Sequence, residues 1–228
     1  MQLDLSLCYW SLWAQEIPVF KTSMIQFAIG IKPVMKKIRS ASKQRIIDVA
    51  FENFVLNGYE GASLSMIAEA VGIRKASIYT HFKSKDALFS ELLEDALDIE
   101  CSYLETCFHG ALDNQLPGES YLRKIKLRYE NAVTYQFLTR IAYVPPSHLI
   151  EQVKSAYQHY MAQLIQCYSV ELVQVITNSQ NQEIYTDAYV GILDSLNVEL
   201  LYDGAMYERR LHAMLCLYRH SMQPNLIK

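Results

Sequence analysis

The chain has 228 residues, of which 51% are hydrophobic and 20% are charged, with 8 Gly and 6 Pro. This composition excludes disordered and collagen-like chains, and at this length it predicts one or two globular domains rich in helix. The net charge of −3 is unevenly divided: residues 36–90 carry nine Lys or Arg against five Asp or Glu, whereas residues 91–228 carry ten against seventeen. A basic segment on an acidic body indicates a polyanionic partner at one end of the molecule.

Residues 1–34 form an apolar and aromatic stretch without a regular period. A secretory signal peptide begins with a basic segment, but here Asp4 and Glu16 precede the first cation, Lys21. A membrane span needs roughly 20 uninterrupted apolar residues, and the sequence contains no such run. We therefore expect neither a secretory leader nor a membrane segment.

The next part of the chain predicts a first helix over residues 42–57 and a second that follows Ser63, whose hydroxyl can cap it. Gly72 can adopt the left-handed conformation that ends the second helix. Ile78 and Phe82 then face inward four residues apart, which leaves cations, hydroxyls and an imidazole on the outer surface. Two short helices joined by such a turn predict a helix-turn-helix that reads duplex DNA.

Three segments extend this motif: IDVAFENF at 47–54, IAEAVGI at 67–73 and IYTHFKSKDAL at 78–88. Together they resemble the DNA-binding domain of TetR-family transcriptional regulators. The chain departs from the family pattern at Arg74, where a small capping residue is usual. The resemblance implies an all-α fold, with an N-terminal three-helix helix-turn-helix domain and a C-terminal helical domain for ligand binding and dimerisation.

The resemblance also implies domain boundaries. Residues 35–87 would form the DNA-binding domain, and residues 88–228 the regulatory and dimerisation domain. Because the family's domain begins a few residues before Ser42, residues 1–34 are an uncertain N-terminal extension. Translation would begin at Met35 or Met24, or the extension would form a short extra helix packed on the body.

By the same resemblance, two sets of side chains face DNA. The candidates for reading bases are Arg74, Lys75, Ala76, Ser77 and Thr80, and the candidates for holding phosphates are Ser63, Tyr79, His81 and Lys85. Arg and Lys bond guanine N7 and O6, whereas hydroxyl, ring N–H and ammonium donors position the backbone without reading sequence. Alternatives stay open: Tyr79 as a half-buried core ring, His81 as a surface residue without a role, and Arg74 as a phosphate contact.

The body is predicted to be helical throughout. A helix capped by Ser84 links the two domains and continues to about Phe108. The further predicted helices cover 119–141, 147–176, 183–202 and 205–222, with Pro145-Pro146 and the polar residues 177–182 between them.

The last two helices are apolar on more than one face, which exceeds the need of a helix that meets one neighbour. The resemblance implies that they form a homodimer interface across a two-fold axis. The candidate interface residues are Ala188, Ile192, Leu196, Leu200, Met206, Ala213, Met214 and Leu217. The alternative is a helix pair buried inside one subunit.

The 16 Tyr and 8 Phe, many of them in the body, favour a ligand pocket with aromatic walls. The candidate walls are Tyr103, Cys107, Tyr129, Phe137, Tyr157, Tyr160 and Tyr168. For each of them plain core packing is the alternative. The acidic body favours a cationic or neutral apolar ligand over an anion.

The resemblance implies a cytoplasmic, ligand-responsive repressor that binds a palindromic operator as a dimer and is released by a small molecule. The alternative is a DNA-bound scaffold of the same fold that engages a protein partner and has no pocket. No catalytic arrangement stands out, so we expect neither enzyme activity nor a cofactor. The five cysteines are scattered without zinc-ligand spacing, which favours reduced thiols.

Overall fold

The computed structural model describes residues 37–108 and 115–223, and the predictions for residues 1–34 fall outside these ranges. The described residues form nine α-helices and no strand, which confirms the predicted all-α fold class. The helices are α1 (Ala41–Gly61), α2 (Leu64–Val71), α3 (Lys75–Ile78), α4 (Lys85–Cys107), α5 (Glu119–Asn131), α6 (Val133–Tyr143), α7 (Ile150–Leu172), α8 (Ser179–Leu201) and α9 (Tyr207–Met222), with a 3-10 turn at Ser147–Leu149. Among the described helices, none has both the length and the apolar composition that a membrane crossing requires.

Serine hydroxyls begin three of the first four helices, as capping chemistry requires. Ser40, Ser63 and Ser84 accept hydrogen bonds from the amides three residues ahead of them, at 3.3, 3.2 and 3.0 Å. Gly72 ends α2 at φ +78°, in the left-handed region that favours glycine. The caps predicted at Ser63, Ser84 and Gly72 are therefore confirmed.

The single helix predicted over 119–141 is wrong, because the structure divides this segment into α5 and α6. Ala132 is extended, with φ −126° and ψ 103°. Its amide ends α5 on the Arg128 carbonyl at 2.8 Å, and its carbonyl starts α6 on the Gln136 amide at 3.1 Å. The Gln136 side chain also donates to the Tyr129 carbonyl at 2.6 Å, which satisfies an acceptor that the break leaves free.

The boundaries around residues 172–183 also differ from the prediction. Helix α7 ends at Leu172, and α8 begins at Ser179 rather than at residue 183. The Asn178 side chain accepts from the Asn181 amide at 3.0 Å, so part of the stretch that reads as a polar loop forms the capped first turn of α8.

A first hydrophobic core joins α1, α2 and α3 to the body of the protein. Helix α4 contributes Leu88, Phe89 and Leu92, and α6 contributes Phe137. Val153 and Ala156 of α7 close the same cluster. The three N-terminal helices therefore share one core with α4, α6 and α7.

A second core lies farther along the body, between the end of α4 and helices α5, α7, α8 and α9. It is built around buried tyrosines whose hydroxyls are satisfied, as buried polar groups must be. Tyr207 donates to the Leu122 carbonyl at 3.0 Å, and Tyr189 donates to the Gly118 carbonyl at 3.1 Å. These bonds fix the start of α5 against α8 and α9.

Gly118→Ala should destabilise the protein strongly. Gly118 has φ +73°, and a Cβ there would lie 2.2 Å from Cε2 of buried Tyr189. We expect a loss of about 3 kcal/mol or more in the free energy of unfolding, from backbone strain plus steric overlap. Gly72→Ala is the matched control, because Gly72 is also left-handed but its added Cβ would meet nothing within 4 Å. Urea unfolding that shows equal losses for the two variants would contradict the packing at Gly118.

Candidate nucleic-acid interface and cavity

The turn between α2 and α3 is fixed by backbone bonds and by two buried anchors. The Gly72 amide donates to the Glu69 carbonyl at 3.0 Å, and the Ile73 amide donates to the Ala68 carbonyl at 2.9 Å. Ile78 and Phe82 are buried in the first core. Because these anchors hold one face of the α3 segment inward, its opposite face points to solvent.

The candidate base-reading residues lie together on that outward face. Arg74, Lys75, Ala76 and Thr80 are exposed, and Ser77 is half-buried. Arg74 precedes α3 without a capping bond from its side chain, as the sequence predicts, so its guanidinium is available. Thr80 donates its hydroxyl proton to the Ser77 carbonyl at 2.7 Å, which leaves the hydroxyl oxygen as an acceptor.

Three of the candidate phosphate-binding residues flank this face. Tyr79 is 51% exposed, so its hydroxyl can reach solvent rather than only the core. His81 is half-buried, with Nε2 at 3.4 Å from the Ser42 hydroxyl. The Ser63 hydroxyl accepts from the Met66 amide and keeps its own proton for an outside acceptor.

Lys85 is tied into the protein more closely than the other three. Its Nζ donates to the carbonyls of Tyr59 and Ala62 at 2.9 and 3.2 Å and lies 4.0 Å from the centre of the Tyr59 ring. Two of its three donors are therefore used to hold the end of α1 against the start of α4. The ammonium still carries its charge, but one donor remains for a phosphate.

The basic residues before α2 are also engaged within the protein. Arg39 binds Glu91 at 2.8 Å and Asp95 at 2.7 Å on α4, and Lys43 binds Glu91 at 2.8 Å. Lys37 binds Asp95 at 3.2 Å and Glu94 at 3.0 Å. The positive charge counted over residues 36–90 is thus partly neutralised by carboxylates of α4. These carboxylates lie beyond residue 90 and were counted with the acidic body.

Lys83 is a candidate interface residue that the sequence analysis missed. It is exposed in the turn directly after the α3 segment, between buried Phe82 and the capping Ser84. No hydrogen bond or ion pair joins its side chain to the described residues. Its position between Phe82 and Ser84 is the signal that could have found it. The buried ring on one side and the helix cap on the other leave the Lys83 side chain to point to solvent.

A cavity of about 50 Å³ lies where four helices of the body meet. Leu93 and Leu97 of α4 form one wall, and residues of α6, α7 and α8 form the others. The polar groups that reach it come from four tyrosines with Thr139, Asp194 and Asn197. The tyrosines are Tyr135, Tyr143, Tyr157 and Tyr160.

Two of the seven candidate pocket residues, Tyr157 and Tyr160, line this cavity. Cys107 and Tyr168 are buried in the second core, and Tyr103 and Tyr129 pack against that core. Phe137 is buried in the first core, beside the N-terminal helices. Sequence spacing alone could not separate these environments, because an aromatic residue at helical spacing suits a cavity wall and a filled core equally well.

Asp194 is the buried charge of the cavity, and it is 7% exposed. Tyr143 donates to its Oδ1 at 3.2 Å. Burial raises the pKa of Asp194 to about 6, and the Tyr143 hydrogen bond offsets this in part. A carboxylate is thus held in an apolar setting that disfavours its ionised form.

The candidate interface residues on α8 and α9 divide into two groups. Leu196 and Leu200 are buried inside the protomer. Ala188, Ala213 and Leu217 are exposed, and Ile192, Met206 and Met214 are half-buried. The second group therefore leaves apolar surface accessible on the single chain, as do Ile184 and Tyr202.

The sequence profile of a family described as "Bacterial regulatory proteins, tetR family" matches residues 46–92. This range runs from the first buried positions of α1 through α2 and α3 into α4. The matched residues coincide with the helix-turn-helix region that the sequence predicts.

Two curated relatives share this region. The chain is 42% identical over 59 residues to the HTH-type transcriptional regulator AcrR of Shigella flexneri, a match that covers 26% of this chain and 27% of AcrR. It is 41% identical over 56 residues to IcaR of Staphylococcus aureus strain NCTC 8325, the biofilm operon icaADBC negative transcriptional regulator, a match that covers 25% of this chain and 30% of IcaR. The chain thus matches less than a third of the length of either relative.

The fold likeness extends over most of the chain. A TetR-like transcriptional regulator from Rhodococcus sp. RHA1 superposes with a TM-score of 0.60 at 18% sequence identity. The superposition covers 82% of this chain and 98% of that protein. At this identity the likeness concerns the arrangement of helices alone.

Replacing the two exposed lysines should separate base reading from phosphate binding. Lys75→Ala should cost about 1–3 kcal/mol against the best operator and relax preference at one or two base pairs. Lys83→Ala should weaken all sequences alike and lower the salt slope of log K by about 1. Lys124→Ala, at an exposed position of α5, is the control and should change neither the operator affinity nor the salt slope. Fluorescence titration of operator variants at several salt concentrations measures these effects, and identical profiles for Lys75→Ala and Lys83→Ala would refute the assignment.

Asp194→Asn should stabilise the folded protein at about pH 7.5. The pKa of Asp194 is raised above its unfolded value, so ionisation destabilises the folded state once the pH exceeds about 6, and this penalty fades toward about pH 4. We expect a gain of about 1–3 kcal/mol in the free energy of unfolding at the higher pH and almost none at the lower. Urea unfolding of both proteins across this range is the measurement. A variant that is less stable than the original at about pH 7.5 would show that the carboxylate is not an unfavourable buried charge.

Proposed function

We propose that the chain is a ligand-responsive transcriptional repressor of the TetR family of bacterial regulatory proteins, whose family model matches residues 46–92. In this proposal it binds a palindromic DNA operator as a homodimer and leaves it when a small molecule occupies the body. The observation that carries the proposal is the recognition turn, which presents Arg74, Lys75 and Lys83 from a segment anchored by buried Ile78 and Phe82. Repression at a chromosomal operator places the protein in the cytoplasm.

The proposed DNA contact follows from the geometry of the turn. The outward face of α3 enters the major groove, where Arg74 and Lys75 reach guanine edges and Ser77 and Thr80 reach neighbouring bases. Ser63, Tyr79, His81, Lys83 and the remaining Lys85 donor hold phosphates on either side. Since two such heads must enter grooves about 35 Å apart on one face of the duplex, the proposal requires a rigid dimer.

Helices α8 and α9 are the proposed dimer interface. Leu217 of α9 is 73% exposed in the single chain, and Ile192 of α8 and Met214 of α9 are half-buried. Gly191 lies in the middle of α8, where glycine costs about 1 kcal/mol relative to alanine. A Cβ at Gly191 would meet nothing within 4 Å, so packing inside the protomer does not require this glycine. Close approach of a second copy would give it a purpose, because a partner helix could lie directly on its backbone.

The proposed ligand response acts through α4. One side of α4 contributes Leu93 to the cavity wall, and the same residue belongs to the first core together with Phe89. A ligand that enlarges the cavity would displace α4 and with it the core that anchors α3. Such a shift in each protomer changes the separation of the two recognition helices, which lowers affinity for a site of fixed spacing.

A DNA-bound scaffold that engages a protein partner is the second candidate. It is supported by the cavity volume of about 50 Å³, which is below the roughly 300–1,000 Å³ of ordinary ligand pockets. Exposed Val170 and Val173 at the end of α7 offer apolar surface to such a partner. A small molecule that releases operator DNA from the purified protein would favour the repressor over the scaffold.

Leu217→Glu should abolish both the dimer and tight operator binding. The side chain is exposed, so the substitution does not disturb the protomer, but it would bring two like charges into the apolar two-fold interface. Leu127→Glu on α5 is the matched control, because Leu127 is 64% exposed on another helix. Analytical ultracentrifugation and operator titration should show a monomer for the first variant and an unchanged dimer for the second.

Ultracentrifugation tests where the dimer interface lies, and operator titration tests whether tight binding needs two heads. A Leu217→Glu protein that remains dimeric would move the interface to another surface. A monomer that binds its operator with undiminished affinity would refute the two-headed mechanism, since single heads give weak, salt-sensitive binding.

A further inference from the structure

Asp194 differs in its partners from two other buried acidic residues of the body, Glu100 and Glu119. Buried Glu171 also has no cation among the described residues, and it accepts the Gly118 amide at 2.8 Å. Glu100 accepts from Nη2 and Nε of Arg128 at 2.8 and 2.9 Å, and Glu119 is bound by Arg123 and Arg219 at 2.6 and 3.0 Å. Buried carboxylates are ordinarily paired in this way, since an unpaired charge in an apolar interior is costly. Among the described residues, none supplies a cation to Asp194.

The hydrogen bonding of Asp194 leaves part of the carboxylate open. Tyr143 donates to Oδ1, whereas Oδ2 accepts no hydrogen bond from the described residues. No fully buried polar side-chain atom of the described chain lacks a partner, so Oδ2 must retain accessible surface. Asp194 lines the cavity, so its carboxylate is within reach of a group that enters there.

The walls around this carboxylate are aromatic on several sides. Tyr135, Tyr143, Tyr157 and Tyr160 all line the cavity, and their neighbours there include Leu97 and Leu193. Tyrosine rings present a negative face that attracts cations, with gains of about 0.5–2 kcal/mol when the cation is desolvated. A carboxylate and several tyrosine rings around one space are the elements of a site for a positively charged group.

We propose that this cavity binds a small aliphatic ammonium cation, or the ammonium head of a longer amine, with Asp194 as its counter-ion. The volume of about 50 Å³ accommodates roughly three to five water-sized groups, which suits an ammonium with a short alkyl chain. The ligand brings the positive charge that Asp194 lacks, and its N–H groups donate to the open oxygen. A carboxylate ligand is disfavoured, because it would set a second anion beside Asp194.

The proposal names the ligand class of the effector site and so rests on the proposed function for its biological meaning. Leu93 and Leu97 of α4 line the same cavity as Asp194 of α8. A longer amine whose head is held by Asp194 would extend its chain toward these leucines. Binding of the cation itself can nevertheless be measured without any DNA.

The test is calorimetric titration of the full chain with three probes of similar size: n-butylammonium, 1-butanol and butyrate. Butylammonium should bind more tightly than either of the others. Asp194→Asn keeps the shape and the Tyr143 hydrogen bond but removes the charge, and it should weaken butylammonium binding by about thirty-fold or more. Butanol, which has no charge, should bind the original protein and the variant alike.

Tyr143→Phe is the matched control, because it keeps the carboxylate and an aromatic ring while removing one hydrogen bond to Asp194. It should retain butylammonium binding that Asp194→Asn loses. Equal affinity of the original protein for butylammonium and butanol would overturn the proposal, and this comparison needs no folded variant. Undiminished butylammonium binding by Asp194→Asn would overturn it as well.

An operator titration with saturating butylammonium and with a longer alkylamine separates this proposal from the repressor function. If amines bind through Asp194 but leave operator affinity unchanged, the cation site stands and the ligand-release mechanism fails. If the protein binds operator as a dimer but takes up no amine, the cation site is overturned and the DNA-binding function stands.

Discussion

The aromatic cluster between α1, α4 and α6 is the contact on which the rest of the structure depends. The ring of Phe89 lies 5.7 Å from that of Phe54 and 5.4 Å from that of Phe137, and Phe51 meets Phe137 edge-on at 5.4 Å. Removing one such buried ring typically costs about 3–5 kcal/mol. The cluster fixes α1 and α4 on the body, and α1 and α4 in turn bury the anchors of the recognition turn. The position of Lys75 on the outward face of α3 therefore depends on packing that includes a helix of the body.

Helix α4 consequently takes part in three interactions at once. Its core face carries Phe89, its cavity face carries Leu97, and a third face carries Glu91, which binds Arg39 and Lys43. A rigid helix with these three sets of contacts cannot shift at one of them without straining the others, because packed interiors deform in discrete rearrangements rather than gradually. This arrangement gives a physical route from the cavity to the outward face of α3.

The sequence predicted the local chemistry of the chain well. Glycine and serine at helix ends act through their own backbone and hydroxyl groups, so Gly72, Ser63 and Ser84 could be interpreted without tertiary information. The break at Ala132 could not be predicted, because alanine favours helix and its extended conformation is set by packing of α5 and α6 on different neighbours. The roles of Lys85 and Arg39 were hidden for a similar reason: their partners lie some 23 to 56 residues away in sequence. The division of aromatic residues between core and cavity is likewise a tertiary property, and the DNA, ligand and interface roles of the candidate residues stay predictions.

The central claim is that the recognition turn is held by a core shared with the body, and native-state hydrogen exchange tests it most directly. If the cluster around Phe89 and Phe137 is one cooperative unit, the slowest amides of α1, α2 and the first half of α4 should exchange through the same opening reaction as those of α6. Their free energies of opening would then agree, and they would fall together with added denaturant. Amides of α1 to α3 that open at much lower free energy than α6, with no response in α6, would contradict the claim, because the N-terminal helices would then be stable or unstable independently of the body.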